Sequence, residues 1–152
     1  MHLENSEPSL LARRLGYAGL VPFALLATAL WTVHADMRAF VAMALVAYGA
    51  AIASFLGGVH WGIAGQLPPH DARLHYAWGV VPSLLGWLAL LMPAYAGLLL
   101  LGLVLTVCYL VDRRSYPNVG WAAWLPMRLQ LTAVAALSCV LGAACVLSAA
   151  KV

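Results

Sequence analysis

The sequence predicts an all-α fold, a polytopic bundle of five transmembrane helices, and three observations carry that prediction. Hydrophobic residues make up 64% of the 152 and charged residues 9%, whereas a soluble domain devotes about a quarter of its residues to charge. The mean hydropathy is +0.92. The apolar residues fall into five runs, each near the roughly 20 helical residues that cross a hydrocarbon core of about 30 Å. At this length a single integral membrane domain over 1–152 is expected.

A polar leader over 1–12, with Glu4, Glu7 and Pro8, precedes Arg13-Arg14 and a first span at 15–33. Arg13-Arg14, the apolar run and the small residues Ala27 and Ala29 imitate a cleavable signal peptide. The acidic leader, Pro22 inside the run and the run's length favour a retained helix instead. Further spans fall at 40–65, 76–92, 95–111 and 129–149. Only Pro93-Ala94 separates the third from the fourth, which predicts a tight helical hairpin. Pro22 and Pro82 lack the amide donor that an unbroken helix needs, so a kink or a packing gap is expected at each. The connection 112–128 mixes cations, aromatics, Pro117, Gly120 and Pro126 and is expected to lie along the inner membrane surface.

Basic residues next to a span are held on the cytoplasmic side. Arg13, Arg14, Arg73, Arg113, Arg114 and Arg128 fall on one side of the five-span arrangement, and only Arg38 and Lys151 on the other. This predicts a cytoplasmic N-terminus and an external C-terminus. Trp31, Trp78, Tyr95, Tyr116, Trp121 and Trp124 lie near span ends and read as interfacial anchors. The net charge is +3, from scattered cations with no basic stripe interleaved with aromatics, so no nucleic-acid partner is expected. Cys108, Cys139 and Cys145 sit in apolar runs without CxxC spacing and read as packing residues.

Two constellations stand out. Ser54-Phe-Leu-Gly57-Gly58-Val-His60-Trp61-Gly62 carries a GxxxG pair at Gly58 and Gly62, and Ala50 and Ser54 continue that face at four-residue steps. Close helix approach is expected there. Ala135, Cys139 and Ala143, with Ser138 and Gly142 beside them, make a comparable face in the last span. The two are expected to meet each other within the chain, or to support a dimer.

His60 forms the second, because an ionisable group inside the membrane is costly and takes a partner. Six residues before Gln66, it lies roughly 9 Å below the inner interface. Either it is a neutral imidazole bonded to a helix carbonyl or to Ser83, or it lines a cavity that opens inward. Arg73, His75, Asp112 and Arg128 are the candidate neighbours at inner span ends. Asp112 and Arg128 either pair there or reach separately to water and lipid phosphate. A haem held by His60 and His75 is disfavoured by their unequal depths, and no HxxxH or HExxH pattern offers a zinc site. No cofactor or metal is therefore expected.

Leu15-Gly16-x-x-Gly19-Leu20-x-Pro22-Phe23, Ser54-Phe-Leu-Gly-Gly-Val-His60-Trp61-Gly62, Pro82-Ser83-Leu84-x-x-Trp87, Asp112 and Arg128-x-x-Leu131-Thr132 together resemble an uncharacterised bacterial and mitochondrial membrane family that includes the eukaryotic transmembrane protein 69. The stretch before Arg128, Trp124-Leu-Pro126-Met127, departs from the aromatic and Leu-Arg pattern of that family. The resemblance implies a small polytopic helical protein of the bacterial inner membrane and no established activity.

The absence of a catalytic constellation leads to the expectation of a non-enzymatic accessory, assembly or scaffold factor. Its partners would be the lipid bilayer and either another membrane protein or a second copy of the chain. The alternative is a quinone- or lipid-like ligand site or a proton or solute pathway centred on His60, with Trp61, Ser83, Trp87, Asp112 and Arg128.

Overall fold

The computed structural model describes residues 7–149; expectations placed on Glu4 and Lys151 lie outside that range. It is an all-α bundle without strands among the described residues, and five of its helical segments are long and apolar enough to cross a bilayer. The helices are α1 (Leu10–Ala18), α2 (Val21–Thr32), α3 (Ala35–Ala64), α4 (Pro69–Leu91), α5 (Ala94–Ser115) and α6 (Leu125–Ala149). Two 3-10 turns, Tyr116–Val119 and Ala122–Trp124, connect α5 to α6.

The first span is α1 and α2 joined at Gly19-Leu20. Ser9 caps α1 by accepting from the amide of Ala12 at 3.2 Å. Pro22, in the first turn of α2, has no amide to continue the α1 ladder. The break frees the Gly19 carbonyl, which takes a hydrogen bond from the Tyr48 hydroxyl of α3 at 2.8 Å. The interruption expected at Pro22 is thus satisfied by a side chain from the next span, as backbone at membrane depth requires. At Pro82, in contrast, α4 continues through the proline.

Packing runs α3 against α4 most extensively, then α5 against α6. The α3–α4 approach is set by Gly57 and Gly79: a Cβ on Gly57 would lie 2.2 Å from the Gly79 carbonyl oxygen. Gly58 and Gly62, expected to meet the last span or a second copy, face outward with no heavy atom within 4 Å of a built Cβ. Within the chain the close approach falls one residue earlier, at Gly57, and on α4 instead of α6. A step of one rotates a helix position by about 100°, and the buried stripe of α3 is Val46, Gly49, Ala50, Ala53, Gly57, His60 and Ala64. Ser54 is half-buried at its margin.

Ala135, Cys139 and Ala143 of α6 are buried, but that face packs mainly on α5, not on α3. Gly102 of α5 lies against Cys139, and a Cβ there would meet the Cys139 Cβ at 3.7 Å. The core joins Leu30 of α2, Leu45 and Val46 of α3, and Leu98, Leu101 and Leu105 of α5. Large side chains such as Phe40, Phe55, Leu103 and Leu137 point outward, where lipid replaces water as the contact. Cys108, Cys139 and Cys145 are free thiols buried in the bundle.

The connection expected over 112–128 is shorter. Helix α5 runs on to Ser115 and α6 begins at Leu125, so Asp112 and Arg128 are helical residues. The intervening turns fold over the bundle end: Tyr116 and Val119 are buried with Ile63, and Trp121 and Trp124 pack against them. Gly120, at φ 77°, reverses the chain between the two turns. Tyr116 is therefore a core residue and not the interfacial anchor expected of it; only 3% of it is exposed.

Candidate functional site

Four helices bring one polar side chain each to the end of the bundle covered by those turns. His60 lies in the last two turns of α3 and His75 in the second turn of α4. The two helices form an antiparallel hairpin closed by residues 65–68, with Pro68 and Pro69 starting α4. Counted from the hairpin bend, the two histidines sit at comparable depths. Asp112 is in the last turn of α5, and Arg128 is near the start of α6. Each of those charges sits at the helix end that the macrodipole disfavours; each is offset by the other.

The four form a continuous chain. Asp112 Oδ1 is 3.0 Å from His60 Nε2. Asp112 Oδ2 accepts from Arg128 Nε at 2.8 Å and from a terminal nitrogen of the same guanidinium. His60 Nδ1 lies 3.0 Å from His75 Nδ1, with the rings close to parallel at 25°. His60, Asp112 and Arg128 are all buried, at 2, 3 and 8% exposure. Asp112 and Arg128 are desolvated charges, which persist only when paired and hydrogen-bonded. The alternative of separate reach to water and lipid phosphate is thereby corrected.

The hydrogen bonds dictate where protons reside. A carboxylate only accepts, so His60 Nε2 carries a proton toward Asp112. With His60 neutral, its Nδ1 is an acceptor and His75 Nδ1 must donate, which leaves His75 Nε2 as a lone-pair nitrogen. In that tautomeric arrangement a proton added at His75 Nε2 can be matched by transfer of the His75 Nδ1 proton to His60 and of the His60 Nε2 proton to Asp112, so the contacts have the connectivity that a proton relay requires.

His60 and His75 both line a cavity of about 620 Å³ with Asp71, Trp78, Arg114 and Asn118 on its walls. The Trp78 ring stands edge-on to His60 at 6.5 Å, and its buried Nε1 has no hydrogen-bond partner among the described residues. On the other side of the cluster, Arg128 lines a second, largely apolar groove of about 430 Å³ between α1, α2, α3 and α6. Asp112 lines neither. Among the described residues no group of three or more His, Cys, Asp or Glu side chains is arranged to hold a metal ion.

Of the residues singled out from sequence, His60, Asp112 and Arg128 are brought together, while Trp61, Ser83 and Trp87 are not. Trp61 turns outward, 52% exposed, covers Gly79 and donates its Nε1 proton to the Tyr76 carbonyl at 3.1 Å. Trp87 is 60% exposed, and Ser83, half-buried, lines neither cavity. His60 bonds neither Ser83 nor a helix carbonyl; its partners are Asp112 and His75. Arg73 is exposed and outside the chain. His75, one of the candidate neighbours of His60, does reach it, although a third span beginning at residue 76 places the two at unequal depths. Helix α4 begins at Pro69, in a stretch too polar to register as a span, and the Pro68-Pro69 start was the missed signal.

The profile of a family described as "Protein of unknown function (DUF3429)" matches residues 9–144. The chain belongs to that family. This DUF3429 chain is also 41% identical over 133 residues to transmembrane protein 69 of Xenopus tropicalis, an alignment covering 83% of the chain and 51% of that relative. The chain thus spans about half the length of the relative. No solved structure matches. The chain is a multi-pass membrane protein of this family, and the His75–His60–Asp112–Arg128 chain lies wholly within the matched residues.

Proposed function

We propose that this protein is a proton-exchanging membrane protein whose working element is the His75–His60–Asp112–Arg128 chain, rather than an enzyme. The observation that carries the reading is the hydrogen-bonded contact between the two histidines. It connects a cavity wall at His75 to a carboxylate with 3% exposure. A purely structural ion pair needs only Asp112 and Arg128; the two imidazoles between that pair and the cavity supply ring nitrogens that can each donate or accept a proton. The unpartnered Trp78 Nε1 gives the cavity a hydrogen-bond donor for a small polar solute. The cation distribution supports a cavity that opens to the cytoplasm, with the bacterial inner membrane as the setting.

The test is proton movement in proteoliposomes with a pH-sensitive dye enclosed. An imposed pH step should give protein-dependent exchange that His60→Leu abolishes and that His75→Phe slows, while both variants insert and purify as helical proteins. Exchange equal in His60→Leu and the unaltered protein would overturn the reading.

The second reading, an accessory, assembly or scaffold factor, is favoured by one observation: Gly58 and Gly62 expose a small-residue strip that none of the described residues covers. Such strips admit another helix closely. Copurification of a membrane partner or a second copy in fixed ratio, lost in Gly58→Leu, would support it; recovery as a lone monomer would reject it.

A further inference from the structure

The buried ion pair separates two spaces, one with several polar side chains on its wall and one almost wholly apolar. His60 and His75 belong to the wall of the polar cavity, Arg128 to the wall of the apolar groove, and Asp112 to neither. The groove is lined by Leu15 and Gly16 of α1, Phe23 of α2, Phe55 of α3 and Leu131 of α6. Among the described residues its single charged lining residue is Arg128, next to Thr132. Arg13 and Arg14, adjacent in sequence to the α1 lining residues, are exposed. Asp112 and the Tyr116 hydroxyl engage only part of the guanidinium's donor set.

We infer that the groove binds a single-chain amphiphile with an anionic head, its acyl chain along Leu15, Phe55 and Leu131 and its head group on the unused donors of Arg128. Charge complementarity selects the head: Arg128 is the one charged side chain among the described residues lining the groove. An obvious objection is that Asp112 already balances Arg128, so a bound anion leaves a surplus negative charge where charge is expensive. The histidine wire removes the objection. A proton taken from the cavity by His75 and His60 restores neutrality, so anion binding and proton uptake accompany each other. This linkage rests on the proton-exchange reading; the groove itself does not. The charged groups that share the balance are Asp71 of α4 and Arg114 of α5, which line the cavity with the histidines, together with Asp112 of α5 and Arg128 of α6; Cys108 and Tyr116 lie against the Asp112–Arg128 pair.

The experiment places the full-length protein in phosphatidylcholine nanodiscs and measures binding of radiolabelled hexadecanoate against empty discs, with hexadecyl phosphate and hexadecanol as competitors. One saturable site is expected. Hexadecyl phosphate should displace the label, and hexadecanol should compete about tenfold or more weakly, because it offers no charge to the guanidinium. The stronger of the two anions identifies the head as a fatty-acid carboxylate or a phosphate ester. Arg128→Gln should weaken binding by about tenfold or more. Because that variant also disturbs the ion pair, Gly16→Leu, which fills the groove beside Leu131 and leaves Arg128 in place, should do the same with an unchanged melting temperature.

Lowering the pH should tighten binding in the unaltered protein and not in His60→Leu. Unsaturable binding, equal competition by hexadecanol, or full binding by Gly16→Leu would overturn the groove proposal even if proton exchange is intact. Saturable, Arg128-dependent binding that ignores pH keeps the groove and refutes the linkage to the wire.

Discussion

His60 and His75 meet through their Nδ1 atoms, 3.0 Å apart, inside a helical hairpin. One proton occupies that gap, and with Nε2 of His60 committed to Asp112 the tautomer of each ring is fixed by its neighbours. In protein labelled with nitrogen-15 histidine, at a pH above the imidazole range, His60 should carry its proton on Nε2 and His75 on Nδ1. A scalar coupling across the N–H···N bond should join the two Nδ1 signals and vanish in His75→Phe. Two rings showing the same tautomer would contradict the geometry.

Asp112 and Arg128 form a buried pair, so removing one charge should cost far more than removing both. Asp112→Asn leaves a guanidinium without its counter-charge and should destabilise the protein by about 3–5 kcal/mol. Asp112→Leu combined with Arg128→Met should recover most of that loss, since a matched apolar pair needs no desolvation. Thermal unfolding in detergent measures both. Proton exchange should stay absent in the double variant, which separates the pair's structural share from its chemical one.

The α3–α4 contact gives a sharp contrast between neighbouring glycines. Gly57→Ala drives a Cβ to 2.2 Å from the Gly79 carbonyl and must push the helices apart, an overpacking cost of about 1–3 kcal/mol or more. Gly58→Ala meets open space and gains helix propensity, so its effect should stay within about 0.5 kcal/mol of zero or stabilise slightly. Melting temperatures of the two variants decide it; equal losses would show that both glycines pack.

The orientation argued from the cations is open to direct chemistry. In a background with Cys108, Cys139 and Cys145 replaced by Ala, Asn118→Cys at the cavity rim should react with a membrane-impermeant maleimide in inside-out vesicles and not in intact cells. Met37→Cys, at the opposite end of the bundle and 49% exposed, should show the reverse. The pattern exchanged would invert the topology and place the histidine cavity outside.

Much of the architecture was legible in the residues themselves. Five runs of apolar side chains declare five crossings, because transfer into lipid sums over each segment separately and a backbone in hydrocarbon must close its hydrogen bonds within its own helix. Pro22 announces a break and Pro93 a hairpin for the same local reason. His60 was marked by the cost of an ionisable group at depth, and Asp112 and Arg128 by their places at span ends.

What joins them was not legible. Contact between residues 60, 75, 112 and 128 depends on how far each helix is rotated about its axis and on where α4 starts, neither of which hydropathy reports. A rotation of one residue separates Gly57, wedged on Gly79, from Gly58, facing open space, and it also decides that Trp61 turns outward while His60 turns in. The amino-acid sequence by itself determined the solvent, the number of crossings and the polar residues that need partners, since each follows from segment-by-segment transfer energy. Only the tertiary structure decided which partners they take and that Asp112 stands sealed between a polar cavity and an apolar groove, since those follow from side chains of four helices converging on one point.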